Sequence, residues 1–187
     1  MTDYDVIVVG GGPAGSMAAE AAAKQGARTI MLEKDRDIGY PVRCGEGVGA
    51  FGLKKFIEPD PAWIATTISK VRMRSPDNTL IDFGMDDAGF ILHRRLFDYA
   101  LANQASQAGV EIQTRAYVDG LIIEDDCVRG VKYQYMGEHK QLTAKLVIAA
   151  DGTRSFLRNL MGIATEEKSY GQYAIASTVT LARNHHH

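Results

Sequence analysis

Apolar residues near the start of the chain cluster without alternating. Val6 to Val9 is a short β-branched run, too short for a helix, and it predicts a strand buried on both faces. From about Pro13 to Gln25 the pattern becomes dense in alanine (Ala18, Ala19, Ala21, Ala22, Ala23), the strongest helix former, and Gly26 supplies a stop. Thr29 to Leu32 is a second short apolar run, ending at Glu33. Periodicity then disappears: Lys34 to Gly52 is glycine-rich and reads as irregular. Leu53 to Ile57 predicts a short helix, ended by Pro59 and Pro61.

Alternation returns in Lys70 to Ser75 and in Thr79 to Phe83. These segments flank Pro76-Asp77-Asn78 and predict a hairpin. Phe90 to Leu92 is apolar and brief. A helix is predicted from about Arg94 to Ala108, stopping at Gly109, with a strand over Val110 to Thr114. Leu121 to Ile123, Val128 to Tyr135 and Lys140 to Thr143 read as a three-stranded antiparallel meander, turning at Glu124-Asp125-Asp126 and at Met136-Gly137. Lys145 to Ala150 reads as a separate buried strand. It runs into Asp151-Gly152 and a helix to about Met161, and Tyr173 to Leu181 alternates as the start of a further strand. The order predicts an α/β fold: a Rossmann-like domain with a parallel sheet, an antiparallel β-meander excursion and the start of a second sheet. Residues 1–165 form the first unit, 166–184 begin the second, and the closing His185, His186 and His187 read as a tag.

The glycines between the first strand and helix carry the first chemical signal. Gly10, Gly12 and Gly15 fit GxGxxG: one for a tight turn, one for close approach to a pyrophosphate, one for packing of the helix on the strand. The helix N-terminus then faces the phosphates with its free amides and positive dipole end. Glu33, at the end of the second strand, is placed to take a ribose hydroxyl and to disfavour a 2′-phosphate. FAD and NAD both offer an ADP half, so both remain open on these residues.

Composition narrows the classes. The 187 residues are 45% hydrophobic, enough for a sizeable core, and the formal charge of −2 gives no electrostatic case for nucleic acid. No apolar run reaches the roughly 18 residues a membrane helix needs, and no basic, apolar leader opens the chain. Cys44 and Cys127 read as free thiols of a reducing cytoplasm, and no Cys or His spacing points to metal.

Three segments carry a family resemblance. Leu146 to Arg158, with Asp151-Gly152 at its centre, resembles the "DG" motif of the hydroxylase-type FAD superfamily, and Arg94-Arg95-Leu96-Phe97-Asp98-Tyr99-Ala100-Leu101 resembles its RxxFDxxL helix. With the glycine turn, these occur in that superfamily's order, which implies FAD rather than NAD. Pro41-Val42-Arg43-Cys44-Gly45-Glu46-Gly47 is similar to the PxRCGE signature of the geranylgeranyl reductase family, of the archaeal digeranylgeranylglycerophospholipid reductase type. The resemblance implies an FAD-dependent reductase that saturates C=C bonds of geranylgeranyl chains. It implies an isoprenoid lipid substrate and peripheral membrane contact, and leaves the electron donor open between NAD(P)H and ferredoxin.

By position, the resemblance puts Gly10, Gly12, Ala14 and Gly15 at the pyrophosphate and Glu33 at the adenosine ribose. Cys44, Gly45 and Gly47 line the loop beside ribityl and isoalloxazine, Arg94 reaches the phosphate or ribityl, Val118 meets adenine through its backbone, and Asp151 supports the central FAD region. Cys44 is the one candidate catalytic residue; its alternative is a small thiol packed against glycine loops. Arg43 holds an anion or is a solvated loop arginine. Glu46 acts on substrate or caps a helix, and His93 reads as a cap or surface residue. Cys127 reads as inert. Trp63, Phe51 and Phe56 line an isoprenoid channel or simply pack.

Three family features are missing from the chain: the later "GD" motif, a substrate-side domain and a C-terminal helical region. The chain is therefore expected to be the N-terminal part of a protein about twice as long, unable to turn over alone and prone to self-association through the sheet edge begun at Tyr173. Within the same superfamily the alternative is a flavin monooxygenase; from another class, a non-catalytic FAD-binding fragment.

Overall fold

The apolar run at the N-terminus forms strand β1 (Tyr4–Val9), with four buried residues in a row. It is followed by helix α1 (Pro13–Lys24) and strand β2 (Thr29–Leu32). The computed structural model describes residues 1–42 and 44–163. The remaining elements are β3 (Gly47–Gly49), α2 (Ala50–Leu53), β4 (Ile64–Arg74), β5 (Leu80–Leu92), α3 (Arg94–Gln107), β6 (Glu111–Gln113), β7 (Ala116–Glu124), β8 (Cys127–Tyr135), β9 (Glu138–Ala149) and α4 (Phe156–Leu160). The strand expected over Tyr173 to Leu181 lies outside the described residues.

Six strands lie in the order β6-β2-β1-β9-β8-β7. Pairing is parallel across β6-β2-β1-β9, with Val6↔Thr29 and Val9↔Leu32 on one side of β1 and Val6↔Leu146 and Val9↔Ala149 on the other. From β9 outward it is antiparallel. The period of two in β1 sorts its side chains between two cores. Val6 and Val8 pack with Met31, Ala19, Ala102, Ala105 and Val110, under α1 and α3. Ile7 and Val9 pack with Ile30, Leu32, Ala116, Val118, Val131 and Tyr133, against the meander. A strand covered on both faces has no polar side to show, which is why β1 reads as a continuous apolar run.

Two expected elements are corrected. Lys140 to Thr143 and Lys145 to Ala150 are one strand, β9. Its first half pairs with β8 from Glu138 to Thr143, and its second half pairs with β1 from Ala144 onward. No glycine or proline interrupts Glu138 to Ala149, so nothing breaks the extended chain where its partner changes. The short helix expected over Leu53 to Ile57 lies earlier, at Ala50–Leu53, where Ala50 and Leu53 are buried and draw the turn onto the core.

The second sheet, β3-β5-β4, grows from the predicted hairpin, closing at Arg74↔Leu80 and running back to Ile64↔Leu92. Its strands extend far beyond the alternating segments. Trp63, Phe90 and Leu92 anchor it to Phe97 and Leu101 of α3, with Trp63 edge-on to Phe97 at 5.0 Å between ring centroids. The small sheet and the Cys44 loop are thereby held to the N-terminal half of α3.

At the opposite rim, the Tyr4 hydroxyl donates to Glu111 Oε2 at 2.5 Å. Burial, then the Glu111 carboxylate beside it, pushes the Tyr4 phenol up to about 12 from its ordinary 10. Because the folded value is the higher one, this contribution to stability is complete below pH 10 and is lost as pH rises to about 12. Alkaline titration of stability is expected to fall through that window, and Tyr4→Phe is expected to flatten the slope.

Candidate functional site

The first turn after β1 is built by exclusion of side chains. Gly10 has a φ of +107°, and a Cβ there would lie 2.3 Å from the Ala150 carbonyl oxygen. A Cβ on Gly15 would lie 1.9 Å from the Gly10 carbonyl oxygen. The turn, the start of α1 and the end of β9 thus touch backbone to backbone. Gly12 is different: a Cβ there would meet nothing within 4 Å. Its side faces open space at the N-cap of α1, where no side chain caps the helix. A helix N-terminus with free amides and no side chain in front of it fits an anionic phosphate.

Glu33 completes this edge. Its Oε2 accepts from the Gly11 amide at 2.7 Å, and its Oε1 accepts from the Asp35 amide at 2.8 Å. The carboxylate is thereby aimed across the turn while its remaining lone pairs stay available to a hydroxyl. Ala116 N–H donates to the Glu33 carbonyl at 2.8 Å, which ties β7 to the same corner.

Two hollows meet at Glu33. One, about 390 Å³, runs along Gly10, Gly12, Leu32, Glu33, Ala116, Val118, Asp151 and Phe156. The other, about 270 Å³, holds Gly11, Gly12, Glu33, Gly39, Tyr40, Cys44, Arg94 and Asp98. Gly12, Glu33 and Asp35 line both, so the two adjoin along one path over the glycine turn. Two larger hollows, about 780 and 1020 Å³, flank α3, but neither contains a glycine of the turn or Glu33.

Gly10, Gly12, Glu33, Cys44, Arg94, Val118 and Asp151 line this path. Val118 is buried on β7, and Asp151 Oδ2 accepts from Leu157 N–H at 3.0 Å, holding the first turn of α4. Ala14 lines an adjoining hollow with Ala150, Asp151 and Gly152. Gly45 and Gly47 lie outside the wall: Gly45 is exposed, and Gly47 opens β3 opposite Ile91. Arg43 lies outside the described residues.

Arg94 is held by the acid that its own RxxFDxxL motif fixes four residues further on. Its Nε and Nη2 donate to the two carboxylate oxygens of Asp98 at 2.9 and 3.0 Å, one turn along α3. Asp98 is 5% exposed. The pair holds Arg94 above the ordinary guanidinium range; burial opposes this, and the nearby Cys44 thiol adds to it. Asp98 is the residue that sequence reasoning left without a role. An acid at the i+4 position from an arginine, beside Phe97 and Leu101, is the signal that could have found it. Glu46 is a cap, not a free acid: its Oε1 accepts from Arg94 N–H at 3.1 Å. His93 stands at the N-cap position without a side-chain bond. Trp63 packs in the core, whereas Phe51 and Phe56 are exposed on the surface. Cys127 is an exposed free thiol opening β8. Among the described residues no His, Cys, Asp or Glu cluster could hold a metal, and no helix is long and apolar enough to cross a membrane.

The chain is 45% identical over 169 residues to digeranylgeranylglycerophospholipid reductase 2 of Methanococcoides burtonii, covering 88% of this chain and 42% of that one. It superposes with a TM-score of 0.75, at 41% identity, on a geranylgeranyl bacteriochlorophyll reductase-like protein of Thermoplasma acidophilum, covering 80% of this chain and 39% of the other. Aklavinone-11 hydroxylase, solved with FAD and aklavinone, shares the fold alone, at 19% identity, a TM-score of 0.66 and coverage of 87% of this chain and 35% of its own. The chain spans less than half the length of these relatives. The family model described as FAD dependent oxidoreductase matches residues 5–157, from the first residues of β1 into α4, and the chain belongs to that family.

Proposed function

We propose that this chain is the FAD-binding part of a reductase that saturates C=C bonds in the geranylgeranyl chains of an isoprenoid lipid. The observation that carries the reading is the placement of Cys44. Pro41 to Gly47 is similar to the loop signature of the geranylgeranyl reductases, and Cys44 lines the hollow with Gly11, Gly12, Glu33 and Arg94. The 45% identity to a digeranylgeranylglycerophospholipid reductase supports the same substrate class.

In this reading the open side of Gly12 and the α1 N-terminus take the pyrophosphate. Glu33 takes the adenosine ribose, Val118 borders the adenine, and Arg94, locked by Asp98, faces the phosphate or ribityl. Bound FAD supplies the hydride chemistry; the protein's part is position, exclusion of water and tuning. An isolated alkene has no carbonyl to absorb charge, so the second carbon needs a well-placed proton donor, while Cys44 has a flavin-side role. The lipid substrate calls for peripheral membrane contact, with NAD(P)H or ferredoxin as electron donor.

The test is anaerobic incubation of the chain, continued to its relatives' full length, with a reductant and a geranylgeranyl lipid. Mass analysis is expected to show hydrogen pairs added to the lipid. Oxygen consumption with lipid hydroxylation would instead identify a monooxygenase. The cofactor half is tested separately: Glu33→Gln is expected to weaken FAD binding by ~1–3 kcal/mol, the scale of losing a charged hydrogen-bond partner. Unchanged affinity by calorimetry would remove Glu33 from the ribose.

A further inference from the structure

Glu46 adopts a φ of +62°. That left-handed conformation is uncommon for a residue with a side chain and comes at no steric cost to glycine. Both neighbours of Glu46 in the chain are glycines, so the strained position is held by the one residue of the three that has a side chain. Three bonds explain what is gained. The Glu46 N–H donates to Cys44 Sγ at 3.3 Å. Its carbonyl accepts from Leu92 N–H at 2.9 Å, the last residue of β5. Its Oε1 accepts from the Arg94 N–H at 3.1 Å, in the first turn of α3. The first turn of α3 contains no acidic residue, and the His93 side chain does not cap it. Glu46 supplies that cap from 48 residues away.

We propose that Glu46 is a positioning residue that latches the Cys44 thiol and the Arg94 guanidinium to one wall of the cofactor hollow. Its backbone fixes the sulfur, its side chain fixes the start of α3, and Asp98 fixes the guanidinium one turn further on. The role of the Cys44 loop then depends on the glutamate beside the cysteine as much as on the cysteine itself. This rests on reading the hollow as the FAD site, and the test separates the two.

Glu46→Gln, Glu46→Ala and Glu46→Gly are compared in the full-length protein. Amide hydrogen exchange at Arg94, measured without FAD, reads the latch directly. Removal of the acceptor in Glu46→Ala is expected to speed it about tenfold, and Glu46→Gln, which keeps an oxygen acceptor, is expected to restore it. FAD titration is expected to show Kd raised roughly tenfold in Glu46→Ala and Glu46→Gly and near wild type in Glu46→Gln. FAD is also expected to shield Cys44 from iodoacetamide in wild type and less so in Glu46→Ala. Glu46→Gly, relieved of the left-handed strain, is expected to melt above Glu46→Ala while binding FAD no better. Wild-type exchange and affinity in Glu46→Ala would overturn the latch. So would a Glu46→Gln variant as impaired as Glu46→Ala, because the carboxylate would then be acting on the ligand itself. A wild-type protein that fails to bind FAD removes the cofactor reading, and the exchange measurement still decides the latch.

Discussion

A Gly15→Ala variant is expected to lose about 3 kcal/mol of stability, at the upper end of what overpacking costs. The added methyl would lie 1.9 Å from the Gly10 carbonyl oxygen and 3.0 Å from its carbon, and both belong to backbone that cannot swing aside. Gly10 in turn abuts Ala150 and Asp151, so relief would mean parting β1 from the end of β9. At this chain length, that cost is worth about 6–12 °C in Tm. Gly12→Ala is the control. Its methyl would meet nothing within 4 Å, so Tm is expected to stay within about 2 °C of wild type. FAD affinity is nevertheless expected to fall at least about tenfold if, as proposed, the pyrophosphate approaches the backbone at Gly12, because the methyl would then stand in its way. Thermal melts with FAD titrations on both variants separate a glycine needed by the fold from one needed by the ligand. Equal melting of Gly15→Ala and wild type would contradict the packing of this turn.

Asp98→Ala is expected to destabilise the protein by about 2–3 kcal/mol. Breaking a fully buried ion pair by removing one partner costs about 3–5 kcal/mol, because the other charge is left unpaired. Here the Arg94 side chain keeps 23% of its exposure, so water recovers part of that cost. FAD binding is expected to weaken too, since the guanidinium loses both bonds that aim it into the hollow. The double replacement Arg94→Met with Asp98→Leu removes both charges and fills the space. It is expected to recover most of the stability and none of the affinity. Denaturant unfolding with FAD titration reads both. If the double variant binds FAD as wild type does, Arg94 has no part in the cofactor site.

The path over the glycine turn was largely legible from residues close in sequence. Gly10, Gly12, Gly15 and Glu33 are read from one strand–turn–helix–strand unit, whose geometry is local and repeated in every such fold. Arg94 and Asp151 came from motifs, and the structure brings both to the same path. Gly45 and Gly47 share a loop with Cys44, where Gly45 is exposed and Gly47 opens β3. A one-dimensional motif does not say which of its glycines faces the hollow and which opens a strand. Asp98 went unassigned because an acid in a helix usually faces solvent, and only its burial and its two bonds to the guanidinium reveal it as the partner of Arg94.

What the sequence alone determined is what short-range physics controls: the buried run of β1, the alanine-rich α1, the turn glycines and the hairpin at Pro76-Asp77-Asn78. Steric exclusion, helix propensity and turn chemistry act within a few residues, so a linear pattern records them. What only the tertiary structure decided depends on partners far along the chain. β9 is one strand because it exchanges β8 for β1 at Thr143–Ala144, a change of neighbour that leaves no mark in its own residues. Glu46 is a cap because folding brings it to the amide of Arg94, 48 residues away. Cys44 enters the hollow because the small sheet and α3 share the core around Trp63 and Phe97, a contact set by packing and not by any local pattern.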